Sequence, residues 1–290
     1  MRPLWNITVV TADLEAYRKM KTRIVAAAAL LPPLLVIVLV LPTIWTAILF
    51  GLAAALASYE LLWGTGLVKN VRLITYTALM AFLVSLWSCL GTNYAAALIG
   101  VLLFAAVLYA EELASKATLP YEKLAICFAG GLLIPFMLTA LVRIHGAENG
   151  RFFILIPFVL AFLSDTGAYF AGRAFGKHKL APIISPNKTV EGVAGGVIGA
   201  IVGMLIYSAV LDLFFGFTVN YLFAVVYGLI GSLAAVFGDL SFSAIKRQTG
   251  IKDYGNLIPG HGGILDRFDS MTVVAPLAEA LLILLPVAVK

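Results

Sequence analysis

Asp266 and Asp269 stand three residues apart in Gly263-Ile-Leu-Asp-Arg-Phe-Asp-Ser270. In a helix that starts just after Gly263, this spacing sets both carboxylates on one face and turns Arg267 away from them. Two carboxylates on one face can hold a divalent cation that either alone would bind poorly, and the same acids could instead oppose the dipole of a solvated helix N-terminus. Asp239 follows Gly238 at the end of an apolar run. It could face the first turn of that helix as a third ligand, or pair locally with Lys246 or Arg247. The stretch Ser243 to Asp269 adds Lys246, Arg247, Lys252 and Arg267, and the turn Gly260-His261-Gly262-Gly263, with almost no material for a core. Acids for a metal, cations for phosphates, and glycines that let backbone N–H groups approach a ligand are the parts of phosphoryl or nucleotidyl transfer.

A second polar cluster runs from Ser164 to Glu191. Asp165 falls inside an apolar run, where a carboxylate is costly and marks a functional position or a buried pair between helices. Arg173, Lys177, His178, Lys179 and Lys188 follow on a turn-rich stretch that suits a triphosphate or a lipid phosphate, although a generic basic loop would look similar. Ser185-Pro-Asn-Lys188-Thr189 lies just ahead of a helix start, a favourable place for an anion. His178 and His261 lack zinc spacing and read as phosphate contacts or proton carriers, and His145 as a surface residue of an outer loop. Cys89 and Cys127 read as small core residues. Glu60 and Glu279 are either partners between helices or cavity lining; the sequence does not choose.

These groups need a scaffold, and the composition describes one. Of 290 residues, 62% are hydrophobic and 12% charged, too apolar for a soluble domain. The expected fold is an all-α, polytopic integral membrane protein with about nine transmembrane helices. They are expected near Ile24 to Leu41, Thr43 to Leu62, Leu73 to Leu90, Tyr94 to Ala110, Leu124 to Val142, Phe153 to Gly172, Val190 to Val210, Thr218 to Phe237 and Ser270 to Val289. With the N-terminus inside, nearly all Lys and Arg fall on the inner side, and only Arg143, Arg151 and Lys290 fall outside. Both polar clusters are then cytoplasmic. Three parts follow: a cytoplasmic or interfacial segment 1–22, N-terminal transmembrane helices 23–151, and a C-terminal catalytic region 152–290. Topology accounts for the net charge of +5, so no nucleic-acid partner is called for. Gly192, Gly195, Gly196, Gly199 and Gly203 recur at helical spacing, which points to close helix packing.

Ser243-Ala-Ile-Lys246-Arg247, Lys252-Asp253 and Pro259-Gly-His261-Gly262-Gly263-Ile-Leu-Asp266-Arg267-Phe-Asp269 resemble the signature of phosphatidate cytidylyltransferases, also called CDP-diacylglycerol synthases. Asp165-Thr-Gly-Ala-Tyr, Gly176-Lys-His178-Lys-Leu-Ala-Pro182 and Ser185-Pro-Asn-Lys188-Thr189 resemble that family in the same order. The likeness covers the C-terminal half; the N-terminal half matches only as a string of spans. The resemblance implies that CTP and phosphatidate give CDP-diacylglycerol and pyrophosphate with Mg2+, with room for a second, monovalent cation such as K+. It implies a bacterial inner (plasma) membrane protein in contact with membrane lipids, and a homodimer is compatible with it. On the motif positions, Asp239, Asp266 and Asp269 would hold the metal. Lys188, Lys246, Arg247, Lys252 and Arg267 would contact the triphosphate or lipid phosphate, His261 with the Gly262-Gly263 backbone would lie against phosphates, and Asp165 would orient a cation or line the cavity.

Two rivals stand beside this reading. A transporter would also use Asp165 and interrupted helices, but no pair of inverted repeats is visible and the polar residues gather on one side. A CTP-dependent lipid kinase would differ in its product, a phosphorylated alcohol without the nucleotide.

Overall fold

The computed structural model describes residues 28, 31–91, 93–114, 120–258 and 262–290. Residues 31–39 are helical. Then follow α1 (Thr43–Gly64), α2 (Val71–Leu90), α3 (Tyr94–Ala114), α4 (Tyr121–Gly146), α5 (Gly150–Phe175), α6 (Val190–Phe215), α7 (Tyr221–Gln248) and α8 (Leu265–Leu284). Among the described residues, α1 to α7 are the seven helices long and apolar enough to cross a membrane. α8 has 20 residues but carries Asp266, Arg267, Asp269 and Glu279. The segment 1–22 and residues 24–27, 29 and 30 of the expected first span lie outside the described residues.

Two short antiparallel strand pairs accompany the helices: β1 (Lys179–Ala181) forms a hairpin with β2 (Ser185–Thr189), and β3 (Thr218–Val219) pairs with the distant β4 (Ala288–Val289). Local chemistry sets the helix ends. The side chains of Asn70, Thr189 and Asn220 accept hydrogen bonds from first-turn amides of α2, α6 and α7. Gly216, at φ 68°, ends α6 in the left-handed conformation that glycine adopts without strain. α1 closes in a π-helical turn, Glu60–Gly64, and α4 contains another, Ala129–Leu133.

Three helix limits differ from the sequence expectation. α7 does not stop near Phe237 but continues to Gln248, so Asp239, Ser243 and Lys246 stand on a helix rather than in a loop. No proline interrupts this extension, and its Phe242 is buried while Ile245 packs on the core. α8 begins at Leu265 instead of Ser270, and β4 occupies part of the stretch expected to complete the last span.

The glycines of α6 face α5. A Cβ on Gly199 would lie 2.6 Å from the Leu163 carbonyl oxygen, and one on Gly196 would lie 2.9 Å from that of Ser164. The helices therefore meet backbone to backbone, as the glycine spacing leads one to expect. Ile198, Val202 and Ile206 on the other face of α6 are exposed, the arrangement of a helix with lipid on one side. One hydrophobic cluster gathers residues of α1, α4, α5, α7 and α8, among them Phe50, Leu141, Leu160, Tyr227 and Val274. A second joins Leu62, Leu73, Leu108 and Leu124 to Phe242, Tyr254 and Leu265, so the connection between α7 and α8 rests on a core built partly from the N-terminal helices.

Side-chain contacts place the connections at two ends. Glu60 reaches Ile264 and Leu265, and Arg247 reaches Ile184, at one end. The β3–β4 pair marks the other.

Candidate active site

α7 and α8 touch where they carry acids. A Cβ on Gly238 would stand 2.9 Å from the Asp269 carbonyl oxygen and 3.0 Å from Ser270 Cα, so only a glycine lets the two backbones approach this closely. The neighbouring Asp239 and Asp269 are consequently near enough to repel one another. Asp239 Oδ2 pairs with Lys188 Nζ of β2 at 2.5 Å, and its Oδ1 accepts from Ser243 Oγ at 3.1 Å. Asp269 Oδ1 accepts from its neighbour's amide, Ser270 N, at 2.7 Å. Asp165 of α5 interacts electrostatically with Lys188, Asp239 and Arg267. It is exposed, although both it and Asp239 lie about 15 Å inside the ends of their helices at 1.5 Å per residue. The acids of α5, α7 and α8 therefore gather in one cluster, with Lys188 and Arg267 as its cations.

Asp266 faces a different set of partners and is buried. Its Oδ1 accepts from Lys246 Nζ at 2.8 Å, while Oδ2 accepts from the amides of Tyr254 at 2.8 Å and Gly263 at 3.0 Å. Lys246 is itself buried and stands 5.4 Å from the centre of the Tyr254 ring. Burial, with Asp266 and Asp269 nearby, pushes the Tyr254 phenol up. It stays protonated and donates to the Phe242 carbonyl at 2.9 Å. The stretch expected to contain almost no core thus encloses a small polar core of its own: Lys246, Tyr254 and Asp266, under Phe242 and Leu265.

Glu60 completes the frame as a partner between helices, the first of the two alternatives open for it. Its carboxyl oxygens accept from Ile264 N at 3.0 Å and Leu265 N at 2.8 Å, the unsatisfied amides at the start of α8. The sequence signal was an acid within an apolar run; the partner, some two hundred residues away, could not be read from it.

The remaining expected site residues divide by what already holds them. Arg247 donates from Nε to the Ile184 carbonyl and from Nη1 to that of Ile251, each at 3.2 Å, tying the β1–β2 turn to the end of α7. Arg267 and Lys252 are exposed. Gly262 adopts φ 87°, and Gly263 is buried beside Glu60. His261 lies outside the described residues. The anion site expected at the start of α6 is filled by the chain itself: Thr189 Oγ1 accepts from Gly192 N, and Glu191 accepts from the amides of Lys177 and His178 and pairs with His178 Nδ1 at 2.6 Å.

Two expectations away from the site are corrected. His145 is buried, not a surface residue; it ends α4 and its Nδ1 is 2.8 Å from Thr46 Oγ1 of α1. Arg143 is not in an outer loop but on α4, where Nε and Nη2 each meet a Glu279 oxygen at 2.7 Å, and this decides the role of Glu279. Cys127 is buried and Cys89 partly so, as small core residues.

Among the described residues, no three His, Cys, Asp or Glu side chains are arranged to hold a metal ion. The donor set nevertheless suits Mg2+. Asp239 and Asp269 are hard oxygen donors of like charge, held together by the Gly238 contact, and Mg2+ binds to one or two carboxylates with water and substrate phosphate completing its shell. Asp266 could add only the acceptor site its three hydrogen bonds leave on Oδ1.

Comparison with known proteins gives a consistent picture. Residues 21–285 match the cytidylyltransferase family. A phosphatidate cytidylyltransferase of Staphylococcus epidermidis is 47% identical over 136 residues, covering 47% of this chain and 51% of that protein. One of Haemophilus influenzae is 42% identical over 158 residues, covering 53% and 55%. The chain spans about half the length of the curated relatives it matches.

Proposed function

Because the chain belongs to the cytidylyltransferase family, we propose that it transfers the cytidylyl group of CTP to phosphatidate, giving CDP-diacylglycerol and pyrophosphate. The observation that carries this reading is the cluster in which Asp165, Asp239, Asp269, Lys188 and Arg267 meet among helices long and apolar enough to cross a membrane. In this reaction a phosphate oxygen of phosphatidate forms a bond to the α-phosphorus of CTP, and the bond from that phosphorus to the oxygen bridging it to the β-phosphorus breaks, so that pyrophosphate leaves. The attacking oxygen is already anionic at neutral pH, so no general base is required.

The chain's own groups have two tasks, to neutralise the two anions and to align them. Arg267 and Lys252 contact phosphate oxygens, and Lys188 is shared between Asp239 and substrate. Lys246 holds Asp266, and Arg247 holds the β1–β2 turn against α7; each shapes the wall that the phosphates meet. The Gly262 backbone and His261 would lie against the phosphates, whereas the Gly263 amide, expected to join them, is taken by Asp266. Asp239 and Asp269 hold Mg2+, with Asp266 contributing at most through Oδ1; K+ is the proposed second ion. Bound there, Mg2+ would polarise the α-phosphorus and offset the charge of the leaving group.

In the proposed topology about nine helices cross the bacterial inner membrane, with α8 the last of them and the N-terminus inside. Lys69, Lys123, Arg173, Lys177, Lys188, Lys252 and Arg267 then face the cytoplasm. Soluble CTP enters from that side while the acyl chains of phosphatidate stay in the bilayer. The chain acts alone or as a homodimer.

Product analysis on the purified protein tests the reaction. CTP labelled in the cytosine ring should pass its label to lipid, while label in the γ-phosphate should leave as pyrophosphate. γ-Label in lipid without ring label would identify a kinase instead.

A further inference from the structure

We infer that Glu60 is a positioning residue for the transfer: from the end of α1 it clamps the first backbone amides of α8 and so sets where Asp266 and Asp269 stand. This inference rests on the reaction proposed above. Three consecutive amides at the approach to α8, and that of Tyr254 before them, are held by two carboxyl groups. Asp266 takes the amides of Tyr254 and Gly263, and Glu60 takes the next two, those of Ile264 and Leu265. Glu60 is 2% exposed, and no cation is paired with it among the described residues. Its carboxyl group is held by the start of a helix, where free N–H groups and the helix dipole favour an acceptor.

The surroundings are shaped around this one side chain. Glu60 opens the π-helical turn that ends α1, a local widening that departs from the regular helix. A Cβ on Gly255 would stand 2.5 Å from Glu60 Oε1, and one on Gly263 would also strike the carboxyl group. Glycine at both positions therefore lets the chain close over it. Because α8 is rigid, a shift or rotation of its first turn carries both aspartates with it, and misplacement by about 1 Å is enough to cost a hundredfold in rate. The N-terminal helices, which contribute none of the expected site residues, thereby take part in aligning the site.

Glu60→Gln replaces one accepting oxygen by an NH2 group that faces an N–H donor. The test uses the full chain in detergent and reads two quantities: steady-state kinetics, and amide hydrogen exchange resolved along the sequence. Glu60→Gln should lower kcat about ten- to a hundredfold with little change in KM for CTP, and should speed exchange selectively in 262–270 while α5 and α6 keep wild-type protection. Gly255→Ala, which crowds the same carboxyl without altering its charge, should give the same pattern more weakly, and it decides the matter if Glu60→Gln does not fold. Wild-type kcat and exchange in a folded variant would overturn the inference. So would exchange that rises evenly through the chain, or a fall in kcat with residues 262–270 still fully protected. Failure of the wild type to transfer cytidylyl would sink the reaction, not the clamp, which the exchange measurement tests by itself.

Discussion

α8 carries ionised side chains at both ends, and the two ends treat them differently. Toward its C-terminal end, Glu279 meets Arg143 through two parallel bonds of 2.7 Å, and the guanidinium also lies 4.2 Å above the Phe136 ring and donates to the Phe136 carbonyl at 3.0 Å. One acid meets one base through a bidentate pair, and both carboxylate oxygens of Glu279 are taken. At the N-terminal end, Asp239 and Asp269 repel each other, Asp165 joins them, and Lys188 is the cation bonded directly to the group. Arg267 is near, yet its side chain forms no hydrogen bond among the described residues. An ion pair that joins helices completes itself. A group of acids and bases held together without complete pairing keeps capacity for phosphates and a metal, and the difference separates a brace from a site on one helix.

The sharpest way to break this comparison is to neutralise the open end. Asp239→Asn or Asp269→Asn should lower cytidylyl transfer by about 10^3-fold or more, with the thermal midpoint of Asp269→Asn held or raised because a like-charge repulsion is relieved. Initial rates alongside thermal melts check this. Asp266→Asn should abolish turnover and also destabilise the fold, by about 3–5 kcal/mol, because the buried Lys246 loses its partner. Near-normal activity in that variant would contradict any place for Asp266 in the site.

Lys188→Met should act more mildly, raising KM for CTP or phosphatidate by about tenfold, since Arg267 and Lys252 remain. A substrate titration reads it. At the closed end, Glu279→Gln should cost about 2 kcal/mol, as expected for a half-buried pair, and leave kcat per folded molecule unchanged. The double substitution Arg143→Met with Glu279→Met should restore most of that stability. A kcat loss in the folded double variant would show that the far end also serves the chemistry.

Local features of the sequence carried much of this account. Apolar runs located the helices because each span is long and its composition uniform, and the glycine spacing of α6 foretold its close contact with α5. The extension of α7 through Lys246 was hidden because polar residues at the end of a span look like a loop, although one helix face still buries Phe242 and Lys246. The spacing of Asp266 and Asp269 placed them on one helix correctly, but it could not show that Asp266 turns to Lys246 and the loop amides. Pairings across the chain were illegible for the same reason: Lys188 with Asp239, Arg143 with Glu279, and Glu60 with the start of α8 depend on how helices are arranged, and no local pattern records that.

The most direct test runs one assay on three proteins: wild type, Asp269→Asn, and the Arg143→Met with Glu279→Met double variant. Each is purified, shown to be folded, and supplied with phosphatidate, Mg2+ and ring-labelled CTP. The account predicts label in lipid and one pyrophosphate per label for the wild type and the double variant, abolished by EDTA, and neither product from Asp269→Asn. Transfer by folded Asp269→Asn at the wild-type rate, or none from the wild type, would contradict it.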